Sequence, residues 1–161
     1  MDSTDILISI RRIVRSINLE SKKIQKQFGV SIPQILCLGF LSRSTGYHAS
    51  QNELKHYLNL NASTVTGIVK RLEQKGLVAR LPRSGDKRVS QIILTSQGDE
   101  LLKRIPPLLH EQLEEKLVSL DPAELSDIEN SLEKLVSLLN IGSVEASPFL
   151  SGMTDLESQE E

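Results

Sequence analysis

Residues 63–71 set hydroxyls, a glycine and two cations around an apolar spacing. Ser63, Thr64, Thr66, Gly67, Lys70 and Arg71 alternate with Val65, Ile68, Val69 and, just beyond, Leu72. The apolar positions recur at helical steps, so the polar ones share the opposite face of one helix. Hydroxyls there can donate to or accept from base edges and phosphates, and small residues let a helix approach a duplex closely. Lys70 suits a phosphate, and Arg71 a phosphate or a guanine. A solvated helix face that carries hydroxyls by chance has the same pattern, so this stretch alone leaves both readings open. A second group follows in the polar run Arg83-Ser84-Gly85-Asp86-Lys87-Arg88. An arginine on a thin turn can enter a minor groove, where the potential is most negative. Arg88 is the candidate, Asp86 can hold its guanidinium, and Arg83 and Lys87 suit flanking phosphates.

No other constellation carries chemistry. His48, His56 and His110 are far apart and lack the spacing of metal ligands. Acids and serines form no nucleophile motif, and no Gly-rich loop cradles a phosphate. The expectation is therefore no enzyme, no metal and no cofactor. Cys37 sits in an apolar stretch, where plain packing is the simpler reading than a redox role.

The charge distribution supports a polyanionic partner. The 161 residues sum to −2. Residues 50–90 nevertheless hold eight Lys/Arg against three acids, a local +5, whereas residues 142–161 hold five acids and no base. A basic patch is the electrostatic footprint of nucleic-acid binding, although not specific to it. The apolar share of 39% is enough for a core, and with 3% aromatics it must be aliphatic. No run approaches the ~20 apolar residues of a membrane span. The polar, acidic N-terminus lacks the pattern of a secretory signal, and a single cysteine fits a reducing compartment, so the expected location is the cytoplasm.

The elements that must position these residues read as follows. A first helix covers about 4–28, with Ile6, Ile10, Ile13 and Ile17 at steps of four, three and four. Gly29 ends it and Ser31 caps a second, all-round apolar helix over 32–42. A loop follows at 42–48. Ser50 and Glu53 form a capping box that opens a short helix over 51–58. After a tight break at Leu60-Asn61, the helix bearing Ser63 to Arg71 runs to about Lys75. Strands are expected at 77–81 and 89–94, joined by the polar run. A long helix over 96–118 is irregular near Pro106-Pro107. Asp121-Pro122 starts a last helix with Leu125, Ile128, Leu132, Leu135 and Leu139 in a heptad-like seam that wants a partner. The fold class is mainly α with a small two- to three-stranded β wing, a winged helix-turn-helix. The residues after 141 read as an acidic, disordered tail.

At this point the sequence resembles a known family. The stretch Ser63-Thr64-Val65-Thr66-Gly67-Ile68-Val69-Lys70-Arg71-Leu72-Glu73-Gln74-Lys75-Gly76-Leu77-Val78 looks like the recognition helix of the MarR family of bacterial regulators. Asp86-Lys87-Arg88 is similar to that family's Asp-x-Arg wing, and Leu94-Thr95-Ser96-Gln97-Gly98 to its exit into the fifth helix. The resemblance spans roughly residues 5–140. It implies one winged-helix domain over 1–141, with a DNA-binding lobe at about 31–95 and dimerisation helices at about 4–28 and 96–140. It implies a homodimer on double-stranded DNA at a pseudo-palindrome. It also implies an effector pocket between the dimer region and the lobe. Asn18, Gln34 and Cys37 are candidate lining residues, although satisfied or surface amides are the plainer reading of the first two. No ligand is identified. A narrower likeness, carried by Arg11 to Leu19 and Pro33 to Leu36, is to the subgroup that represses ectoine and other compatible-solute genes. The competing reading is a winged helix used as a protein-interaction module without DNA.

Overall fold

The computed structural model describes residues 2–81, 90–144 and 146–151. The chain falls into two compact units, residues 1–106 with 148–161, and residues 107–147.

In the first unit, α1 (Ser3–Phe28) runs from an Asp2 cap to Gly29, whose φ of 69° places it in the left-handed region that favours glycine. Ser31 then opens α2 (Ile32–Arg43). Its hydroxyl accepts from the Gln34 amide while Gln34 Oε1 accepts from the Ser31 amide, a reciprocal cap. Eight α2 residues are buried, including Ile32, Cys37, Leu38 and Leu41. A helix apolar all round must be surrounded, and α2 packs against α1, α3 (Gln51–Leu58), α4 (Ala62–Gln74) and α5 (Ser96–Arg104).

The expected loop at 42–48 contains a short helical turn at Thr45–Tyr47 and is followed by a strand, β1 (His48–Ser50). With β2 (Val78–Arg80) and β3 (Gln91–Leu94) it forms an antiparallel sheet in the order β1-β3-β2. Ile92 and Leu94 of the central strand are buried, and Gln91 and Ile93 half-buried, the alternation of a one-faced sheet. The register places Val78 opposite Leu94 and Ala49 opposite Ile92.

The predicted helix over 96–118 is broken at Ile105–Leu108 into α5 and, in the second unit, α6 (Leu109–Val118). Ile105 precedes a proline and takes ψ 126°, outside the helical region, as the ring of the next residue requires. α7 (Pro122–Leu138) starts where expected. Asp121 accepts from the amides of Ala123 and Glu124, with proline at its first turn.

Much apolar surface is left open. On α1, Ile6, Leu7, Ile8, Ile13, Val14 and Leu19 are exposed. On α7, Leu125, Ile128, Leu132 and Val136 are exposed, and no α7 residue is buried. Among the described residues no helix is long and apolar enough to cross a membrane.

Candidate nucleic-acid interface

Two capped helices build the surface. The Ser50 hydroxyl accepts from the Glu53 amide at 3.1 Å, and Glu53 Oε2 accepts from the Ser50 amide at 2.7 Å, which starts α3 at Gln51 as the sequence predicts. Asn59 ends α3 in the left-handed conformation, φ 51°. Asn61 then starts α4: its Oδ1 accepts from the Thr64 amide and from the Ser63 hydroxyl, both at 2.8 Å. Val65, Ile68, Val69 and Leu72 are buried beneath α4.

That burial turns the predicted face outward. Ser63, Thr66 and Lys70 are exposed, while Thr64, Gly67 and Arg71 are half-buried. The hydroxyls are not idle. Thr66 donates to the Ala62 carbonyl at 2.8 Å and accepts from Gln51 Nε2 at 2.6 Å, so it ties α3 to α4. Ser63 donates to Asn61, so its free capacity is as an acceptor. A Cβ on Gly67 would meet nothing within 4 Å. Packing within the chain therefore does not require glycine there.

Two cations counted in the local +5 have other work. Lys75 Nζ donates to the Gly29 carbonyl. Burial pushes its ammonium pKa down, and the charge of Arg71 pushes it the same way. Arg80 pairs with Glu73 at 3.2 Å and donates to Ser90 Oγ at 3.1 Å, bracing α4, β2 and the residue before β3. The Arg80–Glu73 pair is well exposed and contributes about 0–1 kcal/mol. Gln51 and Arg80 were not singled out from sequence. Their roles depend on partners fifteen and seven to ten positions away.

The wing candidates Arg83, Asp86, Lys87 and Arg88 lie outside the described residues. The strands on either side are paired, with the Leu81 amide donating to the Gln91 carbonyl at 2.9 Å.

The exit from the sheet is tightly built. Thr95 Oγ1 donates to the Gly76 carbonyl at 2.7 Å and accepts from the Gly98 amide at 3.1 Å. A Cβ on Gly98 would lie 2.2 Å from the Leu77 carbonyl oxygen and 2.7 Å from Leu94 Cδ1. Glycine is required there by the approach of α5 to the backbone at Leu77.

The three pocket candidates do not share an environment. Asn18 is exposed on α1. Gln34 is buried but serves the reciprocal cap. Cys37 is fully buried, and burial pushes its thiol up to about 12, so it is protonated and shielded at neutral pH. Among the described residues no cluster of three His, Cys, Asp or Glu side chains could hold a metal.

Residues 28–89 match the MarR family. The HTH-type transcriptional regulator YsmB of Bacillus subtilis (strain 168) is 28% identical over 131 residues, 81% of this chain and 88% of YsmB. The HTH-type transcriptional repressor MdtR of the same organism is 31% identical over 96 residues, 60% of this chain and 61% of MdtR. Among solved structures, the MepR–DNA complex of S. aureus aligns with a TM-score of 0.61 at 25% identity, covering 85% of this chain and 98% of that one. AbsC, a MarR family transcriptional regulator from Streptomyces coelicolor, shares the fold with a TM-score of 0.60 at 21% identity, over 87% of this chain and 97% of AbsC. Residues 28–89 thus match the MarR family model, and the helix pair with its three-stranded sheet has the winged-helix fold of these solved structures.

Proposed function

We propose that the chain is a sequence-specific DNA-binding transcriptional regulator, a repressor, that acts as a homodimer on a pseudo-palindromic operator. The carrying observation is α4, whose apolar side is buried and whose small, hydroxyl-bearing and basic side is turned outward from a doubly capped helix pair. A helix-turn-helix sets the N-terminal residues of its second helix against base edges in the major groove. Here those are Ser63, Thr64, Thr66 and Gly67, with Lys70 and Arg71 toward phosphates. Arg88 enters the adjacent minor groove, oriented by Asp86, and Arg83 and Lys87 meet flanking phosphates. The relatives support this reading: MdtR is named a repressor, and MepR has been solved with DNA.

Residues 31–95 act as the DNA-binding lobe of one domain over 1–141. The helices at 4–28 and 96–140 act in dimerisation, for which the exposed apolar residues of α1 and α7 are the support. A second copy would cover them. An effector that prefers a half-site spacing unsuited to the operator would release DNA by linkage. The narrower likeness at residues 11–19 and 33–36 points to compatible-solute genes as the targets under osmotic stress.

The test is a salt series on a genomic fragment retained by the full chain. Arg88→Ala should weaken binding about tenfold or more, and Lys87→Ala should reduce the salt slope by about one. Unchanged binding by Arg88→Ala at every salt would remove the wing from the mechanism. Failure to retain any fragment would favour the protein-interaction module.

A further inference from the structure

The hydroxyl of Thr66 has no freedom left as a donor. Its hydrogen goes to the Ala62 carbonyl at 2.8 Å, one turn back along α4. A hydroxyl carries one hydrogen, so Oγ1 can only accept in its second bond, the 2.6 Å contact with Gln51. That fixes the Gln51 amide with its nitrogen toward Thr66. Threonine inside a helix divides between two rotamers, because its oxygen can bond a carbonyl in the preceding turn. The bond to Ala62 selects one of them, and the bond from Gln51 holds it. The methyl group of Thr66 is therefore fixed as well. Gln51 is itself firmly placed: it is the first residue of α3, and the reciprocal Ser50–Glu53 cap sets where that helix begins.

Both bonds ask only for a hydroxyl. Serine would make them equally, and the two residues have similar helix propensity. What threonine adds is the methyl group, on a residue exposed on the outward face of α4. The core side of the helix is supplied by Val65, Ile68, Val69 and Leu72, all buried. At Gly67, the next residue, an added Cβ would meet nothing within 4 Å, so the adjoining position is open. An apolar group held in water gains only when another apolar group covers it. In the major groove the base pairs offer one such group, the C5-methyl of thymine, and threonine meets it through its own methyl. A hydroxyl whose hydrogen is already committed cannot serve the acceptors of guanine, O6 and N7.

We infer that Thr66 reads a thymine methyl group in each half-site, and that Gln51 is a positioning residue that aims the Thr66 methyl from α3. The inference rests on the DNA-binding reading. The first helix of the pair thus takes part in specificity through the second, with no base contact of its own.

The experiment uses the full chain and a duplex that it enriches from a random pool. Each thymine of that site is replaced in turn by deoxyuridine, which pairs identically but lacks the C5-methyl group. At one thymine per half-site the replacement should weaken native binding about threefold to fourfold, the effect of one buried methyl group. Thr66→Ser should bind the thymine and deoxyuridine duplexes equally. Gln51→Ala should cut the deoxyuridine penalty to below about twofold, because one bond then holds the rotamer instead of two. The penalty compares two duplexes on one protein, so a loss of folded protein cancels from it. Native binding indifferent to every replacement overturns the thymine reading, as does a Thr66→Ser chain that keeps the full penalty. A Gln51→Ala chain with the full penalty overturns the positioning role. A native chain that enriches no duplex overturns the DNA-binding reading and this inference with it.

Discussion

At the residue scale, Gly67 allows folding to be tested apart from the proposed recognition. It sits inside α4, where glycine costs roughly 0.5–1 kcal/mol relative to alanine, and a Cβ there would meet open space. The fold gains nothing from glycine there, which fits the proposed close approach of α4 to a duplex. Gly67→Ala should therefore raise stability by about 0.5–1 kcal/mol in denaturant melts while weakening DNA binding. A variant that is more stable and binds DNA as well as the native chain would show that the duplex does not come close at this position. Residue types alone could not assign Gln34 or Thr66 fully. Gln34 was a candidate pocket residue because an amide on an apolar helix is conspicuous, yet its oxygen completes the Ser31 cap. Thr66 was a candidate DNA contact, and its hydroxyl already joins α3 to α4. Both roles depend on geometry that residue type does not encode.

At the element scale, what was legible had local causes. The Ser50–Glu53 cap, the Gly29 stop and the Asp121-Pro122 start each involve residues within a turn of one another, and all are found where the sequence predicts them. The break between α5 and α6 follows from Pro106-Pro107. β1 carries no strand signature, because three residues cannot display a period and its pairing with β3 spans more than forty positions. The contact of Phe149 with Tyr57, 5.1 Å between ring centroids, is hidden for the same reason. The junction at Gly98 lies between, legible as a family-like motif but explained only by packing. Gly98→Ala should destabilise the protein by about 1–3 kcal/mol through overpacking against Leu77 and Leu94. Chemical melting of the variant checks it. A loss under 0.5 kcal/mol would mean that α5 can shift away from the sheet at little cost.

At the scale of the whole molecule, the exposed apolar residues set the expectation. Leu125, Ile128 and Leu132 on α7 are 42%, 40% and 53% exposed, and Ile13 on α1 is 57% exposed. Surface of this kind is typically covered by a partner, and a second copy of the chain is the proposed cover. Sedimentation should give a dimer at micromolar concentration, and Ile128→Glu/Leu132→Glu should shift it toward monomer. A native chain that sediments as a monomer would contradict the proposed assembly. Two copies also fix what the operator must look like, because a two-fold assembly with one α4 per subunit reads two inverted half-sites about one helical turn, roughly 10–10.5 bp, apart. Selection from a random duplex pool by the full chain measures this directly. The account predicts enrichment of one inverted repeat with that spacing. A pool that stays random after successive rounds, or that converges on an unrepeated site, would contradict it.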